Sequence, residues 1–206
     1  MSGTWRSKAL AVAAWALLAV PAAADEARQH DPGAFFFRFS VGAGTANVRI
    51  EPSGFEPTKF HGPTVDLDLA AGLTVSENLA LHLTTFGWSM TSPNLVQPSL
   101  EGRYLGTIVL ACYGVGATWY FTQSNFYVTG SAGVGQLKFD LTELGVSDRS
   151  DHGPAFTLGA GREWWLGESF ALGMSAHFAY IRAQDSTVPE SWAGPGFGLR
   201  ASMSYN

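Results

Sequence analysis

Few side chains in this sequence could do chemistry, because few are charged. Arg38, Asp66, Asp68, His82, Glu163, His177 and Arg200 stand out, each on the small or polar side of a segment in which apolar residues alternate with others. Buried charge is costly unless paired. Arg38, flanked by Arg200 on one side and by Asp66 and Asp68 on the other, is therefore expected to interlock with those carboxylates in a neutralising plug. A sharper reading is hydrolysis, with Ser175, His177 and Glu163 as nucleophile, base and orienting carboxylate. Position opposes it: Ser175 and His177 are two apart on one strand, and Glu163 lies beside a short turn. His61 and His152 could share a metal, but no third ligand is spaced to help them, and solvation is the default for loop histidines. Gly42-Ala43-Gly44 and the Gly130–Gly135 run are similar to nucleotide loops, yet no helix follows to receive a phosphate. Cys112 is expected to be an inert, inward-facing small hydrophobe. No catalytic residue, cofactor or metal is expected.

The elements that must hold these residues follow from composition and period. Charged residues make up 14% of the 206, far below the quarter usual in soluble domains. Aromatics at 13% exclude disorder. A net charge of -5 with 12 Lys+Arg argues against nucleic acid as a partner. One cysteine excludes an internal disulfide framework.

The beginning of the chain reads as an export signal. Arg6 and Lys8 precede an apolar run, Ala9–Val20, shorter than the roughly 20 residues a spanning helix needs. Pro21 and Ala22-Ala23-Ala24 then supply a cleavage site. Residues 1–24 are thus expected to be a cleaved signal peptide, 25–33 a short periplasmic segment, and 34–206 the folded domain.

That domain alternates with period 2. In the last strand Pro195, Phe197, Leu199, Ala201, Met203 and Tyr205 oppose Gly194, Gly196, Gly198, Arg200, Ser202 and Ser204. Equally clear are the first strand from Phe35, the second over Thr64–Val75 and the seventh over Phe170–Tyr180. The other four are noisier. The third puts Phe86 and Trp88 on the parity opposite to Leu79, Leu81 and Leu83. The fourth is blurred from Gly106 to Ala111, and the sixth has Arg162 on its apolar side. The fifth loses phase near Gln136, which suggests a bulge. Connections alternate in length without exception. Ser76–Asn78, Thr122–Asn125 and Leu166–Ser169 are short, whereas Arg49–His61, Ser89–Arg103, Lys138–His152 and Arg182–Trp192 are long. An outer-membrane barrel has short periplasmic turns and long extracellular loops. Its non-apolar face of Gly, Ser, Thr and Ala suits a narrow lumen better than a solvent-exposed surface. The expected fold is all-β, an eight-stranded antiparallel up-and-down transmembrane barrel.

Gly114-Val115-Gly116-Ala117-Thr118-Trp119-Tyr120-Phe121, then Asn125-Phe126-Tyr127-Val128, and the terminal alternation closing at Tyr205 resemble the eight-stranded outer-membrane barrels of Gram-negative bacteria, the OmpA/OmpX-like group. The resemblance implies residence in the outer membrane and a C-terminal signal, here Ala201, Met203 and Tyr205, for the barrel insertion machinery. Asn206 after the aromatic departs from that pattern. Implied partners are outer-membrane lipid, with the insertion machinery and periplasmic chaperones during assembly, and the chain is expected to be a monomer. The group shares a fold rather than an activity. The leading expectation is a non-enzymatic barrel that supports the envelope or displays loops. The alternative is an OmpW-like conduit for apolar or small solutes. A lipid-modifying enzyme is the weakest reading, since lipid A deacylase and palmitoyltransferase motifs are absent.

Overall fold

Alternating side chains form strands, and here the strands close on themselves. A computed structural model describes residues 30–52, 56–97, 100–121, 123–185 and 190–206. The expected signal peptide lies outside the described residues. Eight long strands build the wall: β1 (Phe35–Pro52), β2 (Thr58–Ser76), β3 (Leu79–Thr91), β6 (Thr107–Phe121), β7 (Phe126–Leu141), β9 (Gly153–Trp165), β10 (Phe170–Asp185) and β11 (Glu190–Tyr205). Each is antiparallel to the next, and pairing of β11 with β1 seals the barrel. The short strands β4 (Asn94–Gln97), β5 (Leu100–Arg103) and β8 (Val146–Arg149) belong to the far connections.

The three tight turns fall where the sequence puts them, between β2 and β3, β6 and β7, and β9 and β10. The long connections are less loop-like than expected. Backbone pairing continues through much of Arg49–His61 and Arg182–Trp192, with Ile50 opposite Thr58 and Asp185 opposite Glu190. Ser89–Arg103 contains the β4–β5 hairpin, and β8 folds back onto β7 within Lys138–His152.

The expected bulge at Gln136 is absent. The β6–β7 register is unbroken from Thr107–Asp140 to Phe121–Phe126, and the irregularity in pairing lies instead between Thr74 and Ser76. The phase loss has another cause: the lumen changes character. Leu137 and Phe139 continue the inward parity of Tyr127 and Ser131, but they enter an apolar zone. Phe86 and Trp88 of β3, and Ile108 and Leu110 of β6, also point inward there.

The interior is therefore layered. A floor of Phe36, Ala70, Ala80, Tyr120 and Tyr127 lies nearest the short turns. The charged residues come next. Above them Trp88, Met90, Leu110, Leu137, Phe139, Ile181 and Trp192 fill the lumen, with Phe139 and Trp192 rings 4.8 Å apart, edge to face. Neighbouring strands approach so closely in places that only glycine fits: a Cβ on Gly114 would stand 2.2 Å from the Ala132 carbonyl oxygen, and its cross-strand partner is Gly133.

The outer face is the inverse. Leu83 is 69% exposed and Val65 62%, and similar apolar residues occur on all eight long strands. A continuous exposed apolar band is stable in lipid and not in water. The wall spans a membrane.

Candidate functional site

Parity aims Arg38, Asp66, Asp68, His82, Glu163, His177 and Arg200 into the lumen, and all are buried. They do not form one cluster of two cations on two aspartates. Arg200 Nη1 reaches Asp68 Oδ2 at 3.3 Å. Asp66 instead faces His177, with Oδ1 3.5 Å from Nε2. Gly198 makes room for that pair, since a Cβ there would lie 2.6 Å from His177 Cε1.

Arg38 corrects the sequence expectation. Its long side chain crosses to the opposite wall, where Nη2 donates to Thr118 Oγ1 at 3.1 Å and to Thr129 Oγ1 at 3.0 Å. Its guanidinium lies 4.8 Å from the centre of the Tyr127 ring, a cation–π contact. The side chain is long enough to leave its strand neighbours, which spacing along a strand cannot reveal. His82 Nε2 joins the same hydroxyl group through Thr118 Oγ1, at 3.2 Å. Glu163 stands lower, accepting from Ser204 Oγ at 2.6 Å and from the Tyr120 hydroxyl at 3.5 Å.

Between these groups is a cavity of about 20 Å3, lined by Arg38, Asp68, His82, Ser175, His177 and Arg200 among others. Arg38 Nη1, His82 Nδ1, and Arg200 Nε and Nη2 make no hydrogen bond to another described protein group. Buried donors of this kind take ordered water. Ser175 and His177 both line the cavity, whereas Glu163 bonds elsewhere, so the three drawn as a hydrolytic set do not assemble. His61 on β2 and His152 before β9 lie on opposite sides of the eight-strand wall, too far apart to share an ion. Cys112 is buried and faces the apolar zone.

At the terminal strand, Ala201, Met203 and Tyr205 face outward, opposite Val41, Phe39 and Phe37 of β1. Tyr205 also meets Phe170 edge to face, with ring centres 5.1 Å apart.

Sequence reasoning missed His30 and Asn206. His30 is 4% exposed, with its ring 3.9 Å from that of Tyr120 and its backbone N–H on the Glu77 carbonyl at 3.2 Å. The Asn206 side-chain amide meets His30 Nδ1 at 2.5 Å and donates to Thr74 Oγ1 at 2.8 Å. Asn206 thus clasps the segment before β1 beneath the floor. Burial lowers the His30 pKa to about 4, with Asn206 and Asp31 acting the other way. No sequence signal joins partners 176 residues apart.

No protein-family model matches the chain, and no curated protein sequence matches it. Among solved structures it is similar to Neisserial surface protein A, at 18% identity and a TM-score of 0.51, covering 81% of this chain and 96% of that one. The fold is that of the eight-stranded outer-membrane barrels. OprG from Pseudomonas aeruginosa matches at 17% identity and a TM-score of 0.46, over 88% of this chain and 98% of that one. Ail of Yersinia pestis matches at 15% and 0.40, over 84% and 99%. These likenesses concern the fold and leave the activity to be argued from the residues.

Proposed function

We propose that this chain is a non-enzymatic outer-membrane barrel with a filled lumen, acting through its outer surface: it supports the envelope and presents its extracellular hairpins to outside partners. The observation that carries this reading is the lumen itself. The charged layer leaves a cavity of about 20 Å3, room for about one water, under an apolar layer that includes Trp88, Phe139 and Trp192. That filling supports a closed lumen over a solute path, and buried Ser175 and His177 over a lipid-modifying pair. The apolar outer band and the barrel fold support residence in the outer membrane, reached through cleavage after Ala24. The same reading gives outer-membrane lipid as the constant partner, a monomeric state, and Ala201, Met203 and Tyr205 as the signal met by chaperones and insertion machinery.

Planar-bilayer conductance of the refolded full chain is the test. No steady current is expected. A steady wild-type current would replace this reading with the conduit. Lipid A mass spectra from cells with and without the protein are expected to be identical; a new acylation state would make it an enzyme.

A further inference from the structure

Above the apolar band, on the side of the barrel formed by β2, β1, β11 and β10, the outward positions form one hydrogen-bonded row: Lys59 opposite Arg49, Arg49 opposite Ala193, Ala193 opposite Arg182. Lys59, Arg49 and Arg182 are exposed, while the flanking Val48, Phe60, Ile181 and Trp192 point inward and are buried. Lys59 and Arg49 are direct cross-strand neighbours, and like charges so placed repel. Only Arg49 has an acidic partner among the described residues, Glu51 at 2.7 Å, with both side chains about half exposed. His61 adds a fourth basic group one row closer to the membrane.

Two further observations say what faces this row. Just below the Arg182 end of the row, on β10, β11 and the adjoining β9, is an aromatic cluster, with Phe156 and Tyr180 rings 5.6 Å apart and Phe178 and Phe197 rings 4.7 Å apart. Such rings mark the headgroup level of a barrel. Beside the row is a groove of about 410 Å3, in which Arg49, Lys59, His61 and Asn47 meet Val96, Ala193 and Pro195. Of the acids on β1, β10 and β11, Glu51 stands one outward position farther from the membrane, whereas Asp185 and Glu190 fall on the inward parity, Glu190 accepting from Trp192 Nε1. On β10 the outward positions thus run from apolar Leu172 through aromatic Phe178 and Tyr180 to basic Arg182.

We propose that the row Lys59–Arg49–Ala193–Arg182, with the groove beside it, binds the phosphate-bearing headgroup of a lipid in the outer leaflet. The guanidinium groups of Arg49 and Arg182 offer paired donors to phosphate oxygens, and Lys59 adds a point charge. The acyl chains then continue down the apolar band below. This deepens the outer-membrane reading and rests on it.

The experiment uses the full chain in phosphatidylcholine nanodiscs doped with diphosphoryl lipid A or with its dephosphorylated form. Native mass spectrometry counts the lipid that stays on the barrel. Preferential retention of the diphosphorylated lipid is expected. The R49Q/K59Q/R182Q variant is expected to lose that preference by at least about fivefold, since each basic residue near an anionic surface contributes on that scale. K138Q/R149Q on the opposite wall is expected to retain it. Heat-modifiable gel mobility reports folding, and K59Q and R182Q alone serve if the triple variant does not fold. Equal retention by wild type and the row variants, equal loss in the opposite-wall control, or displacement by millimolar inorganic phosphate would overturn the headgroup site. Failure of the wild type to insert would instead overturn the outer-membrane reading.

Discussion

In the half of the lumen nearer the short turns, Arg200 meets Asp68, His177 meets Asp66, and Arg38 reaches across to two threonine hydroxyls. In the half above, Phe86, Leu110, Leu137 and Ile181 pack in an apolar cluster with Met90, Cys112 and the Trp88 and Trp192 rings. Both halves are sealed, but they fail differently. The apolar half depends on volume, and a neighbour can relax into part of a small loss. The charged half depends on partners, and a carboxylate that loses its cation is left buried without its ion pair.

The largest effect should come from moving one chemistry into the other half. Leu110→Asp puts an unpaired charge among Leu137, Ile181 and Trp192, and should cost more than about 4 kcal/mol or abolish folding. Thr129→Asp, within reach of Arg38, should be far milder. Urea unfolding in lipid vesicles measures both; equal losses would erase the distinction between the halves. Next comes Arg200→Ala, expected to cost about 3–5 kcal/mol because Asp68 is left buried and unpaired, with Asp68→Ala in the same chain restoring part of it. A double variant as unstable as the single one would show that the pair is not coupled.

A smaller, pH-dependent effect sharpens the comparison at the floor. Folding lowers the His30 pKa from 6.5 to about 4, so the unfolded chain binds the extra proton first. Stability from this group is full above pH 6.5, falls as pH drops toward 4, and levels off below that, for a total of about 1–3 kcal/mol. His30→Gln should remove that part of the slope; unchanged curves for the two proteins would sink the assignment. Smallest is deletion of Asn206, which takes away the contacts to His30 and Thr74 and should cost about 1–2 kcal/mol by the same unfolding assay.

The same contrast explains what was legible. The strands with clear alternation, such as β11, have small or polar residues inside and apolar residues outside along most of their length. β3, β6 and β7 blurred because their upper inward positions are as apolar as their lipid-facing ones, so period 2 persists in space while vanishing from hydropathy. Parity alone pointed the strand-borne charges Arg38, Asp66, Asp68, Glu163 and Arg200 inward. Partner choice was not legible, because Arg38 finds Thr118 and Thr129 across the lumen, 80 and 91 residues along the chain. Turn positions were legible from local residues, whereas the extent of the far hairpins was not, since pairing there depends on two strands matching each other.

The clasp at the floor ties Asn206 to His30 and Thr74. His30 precedes β1, Thr74 lies near the end of β2, and Asn206 follows β11, so one side chain fastens three neighbouring staves at the seam where the barrel closes. Prising that seam apart from below requires all three to let go together.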